Sequence, residues 1–172
     1  TSRGCPYKCI FCSSTQHWER FRMFSAEYVV EEIEKIINDN KRISSIYILD
    51  DLFIVDKNRF GEIVKLIVDK RLNKRLTFHG FVRANLVDEE TCKNLKKMNF
   101  SKVRFGAESG SDKILKMLKG NSVSIEDNQH TIDLCNKYKI PVSASFMVGS
   151  PEETKGDLIK TFEFIEKNRS KM

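Results

Sequence analysis

Three of the five cysteines in this 172-residue chain, Cys5, Cys9 and Cys12, fall in a single C-x3-C-x2-C run near the amino end. If the backbone loops there, three thiolates gather round a small volume, and the chemistry of such a volume is metal binding. Iron–sulfur clusters are held by cysteine thiolates, about four for a cubane with four irons. Three thiolates therefore leave one iron without a protein ligand. An open coordination position is what a catalytic metal needs and a structural one avoids.

Two other readings stand beside this one. Positions 5, 9 and 12 also match the i, i+4, i+7 stripe of a buried helix face, and cysteine is among the most buried residue types. Gly4 and Pro6 argue against a core helix here. Zinc is the other rival, because His17 lies five residues beyond Cys12 and would complete a Cys3His set.

The elements that would position this loop follow from periodicity. Residues 14–24 show no clear period and read as loop. Ser25 reads as an N-cap, followed by a helix with Val29, Val30, Ile33, Ile36 and Ile37 on one side. Residues 43–49 form a short β-branched run, expected as a buried strand that feeds Asp50 and Asp51. A second helix follows with Phe60, Ile63, Val64, Ile67 and Val68 inward. Strands are expected over 76–82, 102–107 and 141–148, and helices over 88–98, 111–118 and 125–138. Ser150-Pro151-Glu152-Glu153 has the form of a capping box and predicts a last helix carried by Leu158, Phe162 and Ile165. Strand and helix alternating in this way imply an α/β fold with a parallel sheet curling towards a partial TIM-like barrel. A complete eight-unit barrel takes about 250 residues, so residues 1–172 are expected to be an incomplete core domain with about five βα units.

The segment Thr1-Ser2-Arg3-Gly4-Cys5-Pro6-Tyr7-Lys8-Cys9-Ile10-Phe11-Cys12-Ser13 resembles the cluster loop of radical S-adenosylmethionine enzymes, with Phe11 as the aromatic before the third cysteine. The resemblance implies a six-unit partial barrel, with the first strand clipped and the sixth unit beyond Met172. It also implies a 4Fe-4S cluster on Cys5, Cys9 and Cys12 that cleaves S-adenosylmethionine reductively to methionine and a 5'-deoxyadenosyl radical.

Functional groups of parallel α/β barrels gather at the carboxyl ends of strands, and on this resemblance four strand ends contribute to cofactor binding. Asp50 and Asp51 would accept hydrogen bonds from the ligand's amino group, or would satisfy loop amides. Arg83 resembles an arginine of the branch whose members often carry a cobalamin-binding domain. It would meet the ligand carboxylate or a neighbouring aspartate, or would be an ordinary surface arginine. Glu108 and Ser109, within Gly106-Ala107-Glu108-Ser109-Gly110-Ser111, resemble the family's G-x-E-S-G-S stretch and would serve ribose hydroxyls or the methionine moiety. Ser109 or Ser111 would also suit a helix cap. Gly149 resembles the strand edge beside the adenine, although Glu152 stands where many relatives have glycine. Cys92 and Cys135 read as ordinary buried thiols, and His79 and His130 as core or surface histidines.

Apolar residues at 40% and charged residues at 31% fit a folded globular domain and not a disordered chain. No apolar run is long enough to span a membrane, and clustered cysteines without a secretory segment point to a reducing, cytoplasmic setting. The net charge of +6 is spread along the chain. It suits solvated helix faces, an acidic electron donor such as flavodoxin or ferredoxin, or nucleic acid phosphates. The expected activity is radical chemistry on a small-molecule substrate, with cobalamin-linked methyl transfer or a carbon-skeleton change first. Methylthio transfer to transfer RNA comes second. A zinc-bound module and a pure electron carrier are the alternatives from other classes.

Overall fold

The computed structural model describes residues 1–172, the side chain of Thr15 excepted. Two short strands, β1 (Ser2–Arg3) and β2 (Arg22–Met23), pair antiparallel with Ser2 opposite Met23. They close the cysteine loop at its base. Inside that loop lies a one-turn helix, α1 (Ser14–His17). Residues 14–24 therefore hold regular structure where loop was expected; each piece is too short to carry a period.

The chain then alternates: α2 (Ala26–Asp39), β3 (Ser45–Tyr47), α3 (Lys57–Asp69), β4 (Thr77–Phe81), α4 (Glu89–Lys97), β5 (Phe100–Glu108), α5 (Asp112–Lys119), α6 (Ile125–Lys137), β6 (Val142–Phe146) and α7 (Lys155–Asn168). Strands β3 to β6 form one parallel sheet in sequential order. Helix starts are fixed by side-chain oxygens that accept the orphan N–H groups of the first turn. Ser25 takes the Tyr28 N–H, Asp56 that of Arg59 and Asp88 that of Thr91.

One face of the sheet packs against the helices. Phe78, Val103, Phe105 and Ala107 meet Phe60, Ile63, Leu95, Met98, Ile132 and Cys135 in a single apolar core. Cys92 and Cys135 are fully buried, as expected. Among the described residues β3 is an edge strand and not a buried one, since it pairs with β4 alone, and Leu49 just beyond it is 82% exposed. Ile36 faces the groove along that free edge and Val68 is also exposed, so the inward stripes of α2 and α3 are narrower than the sequence implied.

The last helix departs furthest from expectation. Glu153 does accept the Ser150 N–H, and that of Gly149, but the helix begins later, at a Thr154–Asp157 capping box. Its buried stripe is Asp157, Thr161, Phe164 and Asn168, while Phe162 is exposed. Hydrogen bonds explain this polar stripe. Ser111 donates to Asp157 at 2.6 Å, the Gly110 N–H donates to Thr161 at 3.0 Å, and Gln129 and Asn168 exchange amide bonds. The Ser111 and Thr154 hydroxyls hold the Asp157 carboxyl well below the usual carboxylate range.

Gly110 lets α7 come this close. A Cβ there would meet the Lys160 carbonyl at 2.4 Å and the Thr161 Cα at 2.7 Å. Both are backbone atoms that cannot swing aside. Gly110→Ala is therefore expected to cost about 1–3 kcal/mol or more, read as a lowered midpoint in thermal or urea unfolding.

Candidate cluster and cofactor site

The carboxyl ends of β3, β4 and β5 and the cysteine loop surround one cavity of about 180 Å³. Its lining includes Cys5, Cys9, Cys12, Phe11, Asp51 and Arg83, together with Gly106, Glu108 and Lys119. The loop is held in place from two directions. The Cys12 N–H turns back to the Cys9 carbonyl at 3.1 Å, and the Ile10 N–H donates to the Leu118 carbonyl at the end of α5, 3.0 Å away. All three cysteines are half-buried free thiols. Burial pushes the Cys5 thiol up, against a backbone hydrogen bond from Tyr7 and the nearby Arg83 charge.

Among the described residues no three Cys, His, Asp or Glu side chains close round a point as a single-ion site requires. His17 lines another cavity, with Trp18, Glu19, Arg20 and Arg22. It is not brought to the three thiols, so the Cys3His set is not assembled.

Arg83 is fixed on several sides. It donates to Cys9 Sγ at 3.3 Å and to Ser122 Oγ at 2.6 Å, and its guanidinium lies 3.9 Å from the Tyr7 ring centre. Its Nε is buried without a partner. Its side-chain partners are thus a cysteine sulfur and a serine hydroxyl, where a neighbouring aspartate or the ligand carboxylate was expected. An N–H donor and a positive charge at a ligand sulfur favour the reduced, more negative state of an iron–sulfur cluster. Arg83→Gln is expected to lower the midpoint potential of the reconstituted protein by on the order of 60 mV, the one-electron equivalent of one charged hydrogen bond, measured by spectroelectrochemical titration.

Glu108 and Lys119 form a buried ion pair in the same cavity lining. The Lys119 ammonium is 3.2 Å from Glu108 Oε1 and donates to the Gly106 carbonyl at 2.5 Å; their side chains are 5% and 9% exposed. Burial pushes the Lys119 ammonium down in pKa against the pull of Glu108. Glu108 sits in the left-handed region at φ 63°, an uncommon conformation for a non-glycine residue that concentrates at functional sites. Its carboxylate folds back over Gly106, where a Cβ would lie 1.9 Å from Oε1.

The structure separates the paired aspartates. Asp51 lines the cavity and accepts the Ser14 hydroxyl at 2.9 Å. Asp50 is buried beside it and accepts the hydroxyls of Thr1 and Ser2 at 2.5 and 2.6 Å, which braces the start of the cysteine loop. Ser109 is buried against α7, 3.1 Å from Thr161 Oγ1, and its Oγ accepts the Ser111 N–H. Gly149, at φ 83°, has open space around it and lies outside the cavity lining. Lys119, Tyr7 and Ser122 escaped the sequence reading. Lys119 reads there as an ordinary basic residue in the last turn of a helix. Its one signal is the following Gly120, at φ 67°, which ends α5 beside the cysteine loop.

A parallel α/β sheet whose strand ends and cysteine loop share one thiol-lined cavity defines the class: an α/β fold that gathers its candidate site at the carboxyl ends of the strands. The Radical SAM superfamily model matches residues 1–165, and the chain belongs to that superfamily. An uncharacterized methyltransferase of Pyrococcus horikoshii is 33% identical over 168 residues, covering 97% of this chain and 36% of that protein. Among solved structures, the radical S-adenosylmethionine methyltransferase TsrM from Kitasatospora setae, with cobalamin and a [4Fe-4S] cluster bound, superposes with a TM-score of 0.86. The identity is 20%, and the match covers 97% of this chain and 31% of that one. The cobalamin-dependent S-adenosylmethionine radical enzyme OxsB gives 0.81 at 22% identity, over 96% and 26% of the two chains. The chain thus spans between about a quarter and just over a third of the length of these proteins.

Proposed function

We propose that this chain is the cofactor-binding core of a radical S-adenosylmethionine enzyme. The observation that carries the reading is that Cys5, Cys9 and Cys12 share one cavity with a buried Glu108–Lys119 pair. The residues suit a [4Fe-4S] cluster: three thiols on a closed loop, an arginine donating to one of them, and no fourth cysteine in the lining. Cys5, Cys9 and Cys12 would hold the cluster, which when bound would supply the electron for reductive cleavage of S-adenosylmethionine to methionine and a 5'-deoxyadenosyl radical.

Glu108 and Lys119 are assigned to the methionine zwitterion. The pair neutralises itself in the free protein, and its two ends match an ammonium and a carboxylate. Asp51 supplies a second carboxylate for the ammonium. The buried Arg83 Nε offers an unmet donor on the cysteine side. Phe11 covers the loop beside the thiols, Asp50 and Ser109 act by holding the loop and the Glu108 turn, and Gly149 is assigned to the adenine edge.

The finer reading is cobalamin-linked methyl transfer, supported by the methyltransferase relative and by the bound cobalamin in TsrM. Cobalamin would sit on a further domain of the whole protein. An acidic electron donor such as flavodoxin or ferredoxin suits the +6 net charge, and a reducing compartment such as the cytoplasm suits three free thiols. No described helix is long and apolar enough to cross a membrane.

The test is anaerobic reconstitution with iron and sulfide followed by reduction in the presence of S-adenosylmethionine. Methionine and 5'-deoxyadenosine should form together. Stoichiometric zinc without iron–sulfur absorption would refute the reading.

A further inference from the structure

The face of the sheet turned away from the helices carries a row of side chains that the cofactor site does not use. Register and pleat place Tyr47, His79, Phe81, Lys102, Arg104 and Ser143 on it, since Tyr47 pairs with His79, His79 with Lys102, Phe81 with Arg104 and Arg104 with Ser143. Contacts agree across three strands. The Tyr47 and His79 rings are parallel to within 4° with centroids 5.9 Å apart, and the Phe81 ring meets Tyr47 edge-on at 6.2 Å. Arg104 Nη1 donates to the Tyr47 hydroxyl at 3.1 Å, and Ser101 Oγ lies 2.6 Å from His79 Nδ1.

Two properties of this row stand out. Its strand residues include Lys102, Arg104 and a histidine but no Asp or Glu short of Glu108, which is already paired with Lys119. Among the described residues Arg104 has no carboxylate partner, and a phenol oxygen meets only one of its five N–H donors. Among the described residues, which span about a quarter to just over a third of the length of the relatives, Tyr47 is 42% exposed and Phe81 44%. The row continues into the cysteine cavity, because Phe81 lines both and Gly106, two residues past Arg104 on the same face, forms the cavity wall. Two strand residues rise about 7 Å, so a ligand held by Arg104 lies within one small molecule's length of the thiol-lined cavity.

We infer that Arg104, backed by Tyr47 and Phe81, is the substrate subsite of this core, and that it takes a small molecule carrying a carboxylate or phosphate on a flat, conjugated body. The guanidinium fork matches the oxyanion, and the exposed rings accept the conjugated face. The inference rests on the reading of the neighbouring cavity as the S-adenosylmethionine site only for the statement that the bound molecule is the substrate.

The probes are 2-naphthoate, its neutral amide 2-naphthamide, and 2-naphthyl phosphate, titrated into the reconstituted protein by fluorescence with and without saturating S-adenosylmethionine. At least one oxyanion should bind about tenfold or more tighter than the amide, the ratio expected of one charged hydrogen bond. Arg104→Gln should remove that preference and Arg104→Lys should restore part of it. The two oxyanions identify which group is preferred. Equal binding of anion and amide by the unaltered protein, binding of none of the three at millimolar concentration, a preference that survives Arg104→Gln, or full displacement by S-adenosylmethionine would each overturn the assignment. Because the unaltered protein alone reports the preference, misfolding of a variant does not decide the outcome. If the oxyanion preference holds but S-adenosylmethionine fails to bind, the subsite stands and the cofactor reading falls.

Discussion

Replacing any one of Cys5, Cys9 and Cys12 by alanine is expected to reduce the reconstituted protein from about four irons per chain to less than one, with loss of visible absorption and of S-adenosylmethionine cleavage. The three thiols are the cysteines on the cavity, and the loop that carries them is pinned by the β1–β2 pair and by the Ile10–Leu118 hydrogen bond, independently of any metal. Each variant should therefore remain folded while losing its iron. Cys92→Ala and Cys135→Ala are the matched controls. Both thiols are fully buried between helices, so these substitutions should lower stability and leave the iron content unchanged. Iron and acid-labile sulfide analysis beside circular dichroism checks both halves.

The second large effect is expected at the buried ion pair. Lys119→Met leaves the Glu108 carboxylate without its partner in a site that is nearly closed to solvent, and breaking a buried pair from one side costs about 3–5 kcal/mol. The double variant Lys119→Met, Glu108→Leu should recover most of that loss in urea unfolding, because no charge is then stranded. Affinity for S-adenosylmethionine should fall in both, by about tenfold or more for each lost charged hydrogen bond. Gly106→Ala acts on the same pair from the backbone side. Its Cβ would collide with the Glu108 carboxylate and push it off the buried Lys119 ammonium. A lowered urea midpoint and weakened binding of labelled S-adenosylmethionine in equilibrium dialysis are therefore expected together.

Much of this arrangement is legible in the residues themselves. Cysteine spacing within a segment broken by Gly4 and Pro6 points to a loop and not a buried helix face, and the structure places all three thiols on one cavity. The strand–helix alternation announces the parallel sheet, and Glu108 between two glycines announces a turn where backbone and carboxylate crowd one point. The missed features share one physical cause: they depend on contacts between segments far apart in sequence. Lys119 is an unremarkable last-turn lysine until Glu108 and Gly106 close on it. The last helix buries Asp157, Thr161 and Asn168 because hydrogen bonds to Ser111, Gly110 and Gln129 satisfy them, whereas a hydrophobic stripe points to Leu158, Phe162 and Ile165. Tyr47 and Leu49 look like core residues of a strand; Tyr47 is exposed because it lies on the sheet face turned away from the helices, and Leu49 because it lies past the end of β3.

The relation between Arg83 and the cysteine loop shows how the fold couples these parts. The guanidinium joins the end of β4 to Cys9, to Ser122 after α5 and to the Tyr7 ring in one buried position. One side chain thus sets both the electrostatics at a thiolate and the seat of the loop that presents it.

The central claim is that three thiolates hold the cluster and leave one iron for S-adenosylmethionine. It is tested most directly by electron–nuclear double resonance on the reduced, reconstituted protein mixed with S-adenosylmethionine labelled with ¹⁵N in the amino group and ¹⁷O in the carboxylate. The account predicts hyperfine coupling from both labels, absent when the cofactor is left out. A reduced cluster whose spectrum is unchanged by the labelled cofactor at saturating concentration would contradict it.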